Sequence, residues 1–261
     1  MKLIKKVFRI LNLFTLEKPS WRIAEISKAL DMHHSTVFRI FKNLREEGYV
    51  IHDLKTREYR LGLKFLEMGS IVVLSLELFE KARPILKRLA KIYDGTVLHL
   101  TILEGFEAIY LDKVESTRSF PMNSRQGRHA PLYCTGVGKA LLAYFPEQEI
   151  DHILKNIDLI KYTKNTITDV IELKKELERI KKRGYAIDNE EISYGLKCIA
   201  GPIRDYSGKV IASISIAASP IYFREQNESS IIKTIISACK EISSLLGYNI
   251  KYPSVFNLTI Q

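Results

Sequence analysis

Two groups of residues in this chain have types and spacings that can do chemistry. The first is a polar run, His34, Ser35, Thr36, Arg39, Lys42 and Asn43, followed downstream by Lys55 and Arg57. Hydroxyls, an imidazole, an amide and cations gathered on one helix face can reach base edges and phosphates in a major groove. The second group lies far along the chain. Gly136 and Gly138 open a helix and offer backbone N–H groups to an anion. Asp188 and Cys198 stand ten positions apart. In the alternating stretch Ser213 to Ala217, the residues Ser213, Ser215 and Ala217 share one strand face. Small polar groups on such a face suit a compact, oxygen-rich metabolite.

Each group must be positioned by the elements around it. Leu3, Val7, Ile10, Leu11 and Phe14 fall on one face of a first helix, which Pro19 and Ser20 interrupt. Ile23, Ile26 and Leu30 predict a second, short helix, and Asp31-Met32-His33 a tight break. Val37, Ile40, Phe41 and Leu44 form the apolar side of a third helix, closed at Gly48. The polar run occupies the opposite side. Two helices joined by a tight turn, the second basic outside, make a helix-turn-helix. Val50 to His52 and Tyr59 to Leu61 predict a hairpin with Lys55 and Arg57 at its tip, a wing suited to the DNA backbone or minor groove.

Charge agrees with this division. The chain has 261 residues and a formal net charge of +10. Residues 1–62 carry 13 Lys/Arg against 7 Asp/Glu, more than half of that excess. A basic N-terminal module points to a polyanionic partner. A basic solvated face with no partner, or a winged helix that binds protein, is the competing reading. A membrane surface fits poorly, because the helices carry a core-like apolar stripe.

Beyond the hairpin, Leu63 to Phe79 is an apolar, helix-length connector. A helix over Lys81 to Tyr93 follows, then strands at Thr96 to Leu103 and Ala108 to Leu111. Helices are expected over Gly138 to Phe145, Val170 to Arg183 and Gln226 to Leu246, and strands over Ile199 to Arg204 and Val210 to Ala217. Mixed helices and antiparallel hairpins give an α+β class.

Several functions are disfavoured. There is no GxSxG, P-loop, HExxH or dinucleotide fingerprint. The three cysteines, Cys134, Cys198 and Cys239, form no CxxC pair, and their odd number argues for free thiols. A thiol site from Cys198, Asp188 and one of His99, His129 or His152 has no spacing to support it, and neither has a metal site. No cofactor is expected. Neither a signal peptide nor a span of about 20 apolar residues is visible, so a cytoplasmic protein is expected.

Residues 22–62 resemble the DNA-binding domain of IclR-type bacterial transcription regulators, from Arg22-Ile23-Ala24-Glu25-Ile26 through Ser35-Thr36-Val37-Phe38-Arg39 to Tyr59-Arg60-Leu61-Gly62. Residues 184–205 match that family's C-terminal signature, and Gly136-Val137-Gly138-Lys139-Ala140 resembles the loop before its effector-pocket helix. One departure is visible: the wing has Glu58 where a Gly usually precedes the aromatic. The resemblance implies a winged helix-turn-helix over 1–62, a linker helix over 63–79 that pairs with a dimer partner, a GAF-like effector-binding domain with an antiparallel sheet over 80–250, and a tail over 251–261. It implies effector contacts at Val137, Gly138, Asp188, Cys198, Ser215 and Ala217, with Ala217 standing where some relatives have Ser. The expected function is a repressor of a catabolic operon that binds operator DNA as a homodimer or homotetramer and responds to a small organic acid. An activator of the same family is the alternative.

Overall fold

The computed structural model describes residues 3–119 and 121–248, so the expected tail over 251–261 lies outside the described residues. The chain divides after Ser75 into two compact units.

The first unit opens with helix α1 (Leu3–Leu11), strand β1 (Ser20–Trp21), helix α2 (Ile23–Leu30) and helix α3 (His34–Glu46). Ile10, Ile26, Val37, Ile40 and Phe41 meet in one core. Asp31 adopts a left-handed backbone with φ 51°, which turns α2 into α3 and drops Met32 into that core. Strands β2 (Val50–His52) and β3 (Tyr59–Leu61) form the expected hairpin. β1 was not expected; it pairs with β3, so the wing is a three-stranded sheet in the order β1-β3-β2. Gly62 closes the unit: an added Cβ there would meet the Gly48 carbonyl oxygen at 2.1 Å. Helix α4 (Lys64–Leu74) follows and has no buried residue.

The connector expected as one helix to about Phe79 is two helices. α4 ends at Leu74, and α5 (Glu77–Ile92) begins after a break at Ser75 and Leu76. Leu78 and Phe79 are core residues of the second unit.

The second unit is built on six antiparallel strands: β4 (Val97–Glu104), β5 (Glu107–Glu115), β6 (His129–Pro131), β7 (Ala186–Asn189), β8 (Lys197–Arg204) and β9 (Val210–Ala218). Their spatial order is β6-β5-β4-β9-β8-β7. α5 and α10 (Glu228–Leu245) pack on one face, and α6 (Gly136–Leu142) lies across the other with α8 (Val170–Arg183) against it. Two short helices, α7 (Glu147–Lys155) and α9 (Pro220–Glu225), and the edge strand β6 were not expected. α8 shows why its sequence folds locally. Asp169 caps it by accepting the Glu172 N–H at 2.8 Å, Leu173, Leu177 and Ile180 are buried, and Gly184 ends it with φ 82°. Lys181, Lys182 and Arg183 complement the negative end of its dipole.

Candidate DNA interface and ligand cavity

On α3 the buried set Val37, Ile40 and Phe41 turns the other side to solvent. His34, Ser35, Arg39, Lys42 and Asn43 are exposed, and Thr36 is half-buried. Ser35, Arg39 and Lys42 recur at i, i+4 and i+7, so they share one stripe. Lys42 lies 4.0 Å from Glu46, at the limit of an ion pair. Phe38 is also exposed, at 52%, an apolar group that reasoning from charge and polarity passed over.

The wing turn is held by Asp53, whose Oδ1 accepts the Lys55 N–H at 2.8 Å and the Thr56 N–H at 3.3 Å. Lys55 and Arg57 are exposed at its tip. The missing glycine has a structural answer. Arg57, rather than Glu58, takes the left-handed backbone, with φ 59°. Glu58 is half-buried; it accepts the Ser20 hydroxyl at 2.7 Å and lies 3.7 Å from Arg22 Nε. The acidic residue thus ties the wing to β1.

In the second unit the sheet register gathers the other candidates. Asp188 pairs with Cys198, Cys198 with Ala217, and Ser215 with His99 across β7, β8, β9 and β4. These side chains face a cavity of about 570 Å3 on the α6 side, which Val137 also lines. Five of the six expected ligand residues therefore meet. Gly138 does not line the cavity. Its N–H donates to the Thr135 hydroxyl at 3.1 Å, and an added Cβ would lie 2.6 Å from Leu132 Cα and from the Pro131 carbonyl oxygen. It is there for close packing, and its N–H is not available to an anion.

The floor of the cavity is polar, and its histidine is uncharged. Burial lowers the pKa of His99 to about 3, with nearby Lys113 acting the same way, so the ring is neutral. Its Nδ1 lies 3.3 Å from Ser215 Oγ and its Nε2 lies 2.8 Å from Ser124 Oγ. Burial pushes Asp188 up to about 7, although its Oδ1 accepts the Glu191 N–H at 2.7 Å. Burial also pushes the Cys198 and Cys134 thiols up to about 12, with Asp188 as the next cause, so neither is a thiolate nucleophile.

Beneath the lining sits a feature that no spacing signals. Lys139 on α6, 1% exposed, is ion-paired with Glu191. Burial raises the pKa of Glu191 and Lys139 opposes that, while Glu191 Oε2 has no hydrogen-bond partner among the described residues. Both residues fall inside motifs quoted above, yet a lysine in a helix gives no sign that it is buried. Among the described residues, no group of three or more His, Cys, Asp or Glu could hold a metal, and no helix is long and apolar enough to cross a membrane.

A winged helix-turn-helix with a basic outer face, followed by a sheet domain with a cavity lined by both polar and apolar groups, is the build of a transcription regulator. The chain belongs to the IclR family: residues 71–244 match the bacterial transcriptional regulator IclR C-terminal domain, and residues 3–54 match the IclR helix-turn-helix domain. It is 34% identical to the HTH-type transcriptional regulator KdgR of Escherichia coli over 96% of this chain and 94% of that one. It is 33% identical to the HTH-type transcriptional repressor AllR of Salmonella typhi over 86% of this chain and 82% of that one. The crystal structure of Thermotoga maritima IclR superposes with a TM-score of 0.77 at 37% identity, covering 94% of this chain and 98% of that one. A homologue from Microbacterium hydrocarbonoxydans, solved in complex with 4-hydroxybenzoate, shares the fold with a TM-score of 0.81 at 22% identity, covering 94% of this chain and 99% of that one. The protein is a DNA-binding transcription regulator and not an enzyme.

Proposed function

We propose that this regulator represses a catabolic operon and is released by a small organic acid bound in the cavity of the second unit. The observation that carries the reading is the cavity itself, with Val137, Asp188, Cys198, Ser215 and Ala217 in one lining beside the neutral ring of His99. Two relatives support its parts: AllR is named a repressor, and the Microbacterium homologue holds a small aromatic acid.

On the DNA side, Ser35, Thr36 and Arg39 probe base edges from the major groove, with His34 and Asn43 beside them. Lys42, Lys55 and Arg57 hold phosphates. The exposed apolar surface of α4, including Leu66, Ile71, Val72 and Leu74, supports assembly as a homodimer or homotetramer. Two heads then read a pseudo-palindromic site.

The test is binding of the purified chain to promoter fragments from its own genome, footprinted at two salt concentrations, with and without pooled small carboxylates. A palindromic footprint that the carboxylates weaken about 5- to 150-fold is the expected result, corresponding to a coupling of about 1–3 kcal/mol. A footprint that carboxylates leave unchanged or strengthen overturns the release mechanism.

A further inference from the structure

Two further polar groups line the cavity, Arg128 and Tyr110. Arg128 stands just before the edge strand β6, and its backbone is locked to β5. The Tyr110 N–H donates to the Arg128 carbonyl at 3.0 Å, and the Gly127 N–H donates to the Tyr110 carbonyl at 2.8 Å. The Arg128 guanidinium donates to the Asn123 carbonyl. It has no carboxylate partner among the described residues. The two carboxylates of the lining are engaged elsewhere, Glu107 with His129 at 3.2 Å and Asp188 with the Glu191 N–H. Arg128 is therefore the cation of the cavity whose charge is not matched by an anion.

Tyr110 lies next to it. Its ring is 4.8 Å from that of His99, and its hydroxyl has no hydrogen-bond partner among the described residues. Tyr110 is backbone-bonded to Arg128 and lines the same cavity as Asp188 and Cys198. From Arg128 a polar path runs along one side: to Asn123, to Ser124, to His99 and to Ser215. Lys113 fixes the same segment by donating to the Met122 carbonyl at 3.1 Å. The loop that carries these groups is thus held in place before any ligand arrives.

We propose that Arg128 and Tyr110 select the effector. The Arg128 guanidinium takes a single carboxylate at the β6 edge, and Tyr110, with His99 and Ser215 beyond it, takes hydroxyl or oxo groups further along the same molecule. The ligand is then a hydroxylated monocarboxylic acid, rather than a plain aliphatic acid or a neutral polyol. One unmatched cation balances one carboxylate, and a second carboxylate would find no further unmatched cation in the lining and would stand near Glu107 or Asp188. A neutral imidazole, a phenol and a serine both donate and accept, which matches hydroxyl and oxo oxygens. This assignment rests on the organic-acid reading above and narrows it to a class.

The experiment uses the full chain and titration calorimetry. The probes are hydroxylated monocarboxylates of four to seven carbons, each with its matching alditol and its unsubstituted acid; gluconate, glucitol and hexanoate form one such set. At least one hydroxylated acid is expected to bind, with its alditol and its plain acid both weaker. Arg128→Met is expected to weaken the acid about 10- to 100-fold while leaving the alditol unchanged, so that the preference between them disappears. Arg128→Lys keeps part of it, because it keeps the charge but loses the paired donors. Tyr110→Phe lowers the preference for hydroxylated over plain acid. The unliganded thermal midpoint and promoter binding of each variant report whether it folds, and if Arg128→Met does not, Arg128→Gln replaces it. Acid binding that survives Arg128→Met or its replacement undiminished, or equal binding of plain and hydroxylated acids, overturns the assignment alone. If no acid of any kind binds, the organic-acid reading fails and the assignment falls with it.

Discussion

The two units use polar residues in opposite ways. In the first unit the groups assigned to DNA, apart from the half-buried Thr36, are exposed, and the core below them is apolar. In the second unit the polar groups are inside: His99, Asp188, Ser215, Lys139 and Glu191 are all buried. A surface cation is free to meet a phosphate and contributes little to folding. A buried polar group must be satisfied by its neighbours, so it holds the fold together as well as shaping the cavity. Function and stability are thus separable in the first unit and entangled in the second.

The strongest challenge to that contrast is Lys139→Ala. It leaves the Glu191 carboxylate buried without its cation and is expected to cost about 3–5 kcal/mol, read as a lower unfolding midpoint of the second unit by calorimetry. Joint replacement by Lys139→Met and Glu191→Leu should recover most of the loss. An unchanged midpoint for Lys139→Ala would mean that water reaches the pair and that the second unit is not built on it.

Arg39→Ala should do the reverse. It is expected to cost about 1–3 kcal/mol of specific DNA binding and to relax base preference at one operator position. Its unfolding midpoint should not move, because Arg39 is exposed. Unchanged preference among operator variants would remove Arg39 from the reading set.

Acid sharpens the comparison further, because two buried groups of the second unit oppose each other. His99 is neutral in the folded state and charges on unfolding, so stability is lost as pH falls from about 6.5 toward 3. Folded Asp188 keeps its proton up to about 7, while an unfolded aspartate loses it near 3.9, so its contribution is present at low pH and lost as pH rises through that window. Between about pH 4 and 6.5 the two slopes partly cancel. Asp188→Asn removes one of them, and a steeper fall in midpoint below pH 6.5 is the expected result of a calorimetric pH series. The same slope as the parent protein would show that Asp188 ionises normally.

The smallest effect is at the wing. Arg57 occupies a left-handed backbone that costs a side-chain-bearing residue about 1–2 kcal/mol. Arg57→Gly should therefore stabilise the first unit by up to about 1 kcal/mol in urea unfolding, allowing for glycine's greater freedom when unfolded. The same change should lower the salt dependence of DNA binding by about one phosphate contact. Stability gained with no change in salt slope would show that Arg57 does not touch DNA.

The same contrast explains what could be read from the chain alone. The first unit is made by neighbours in sequence. The stripe of Val37, Ile40, Phe41 and Leu44 defines α3, and with it the outward face. What escaped was β1, two residues that become a strand only by pairing with Arg60 and Tyr59 about forty positions later. Ser75 and Leu76 escaped for another reason. An apolar run looks continuous, and only the packing of Leu78 and Phe79 into the second core shows that the helix restarts there. In the second unit, the cavity lining was legible where a family motif marked it, at Asp188 and Cys198, and where strand alternation did, at Ser215. Gly138 belongs to a second family stretch, Gly136 to Ala140, yet its place is set by the closeness of Leu132 and Pro131. Arg128, Tyr110 and the Lys139–Glu191 pair were not legible. Their placement comes from strand order and burial, which no local spacing encodes.

The central pairing of the second unit has a consequence for how the protein is made. β4 pairs with β9, joining Val97 to Ala217, 120 positions apart, whereas the first unit is complete by Ser75. At about 5–20 residues per second, a ribosome needs roughly 6–24 s to supply that partner strand. The reading head emerges with all its contacts in hand during this interval, while the apolar strand Val97-Leu98-His99-Leu100 waits with an unpaired edge. The nascent chain thus holds a folded winged helix-turn-helix before the sheet of the second unit can close. Its exposure to aggregation falls in the interval between those two states.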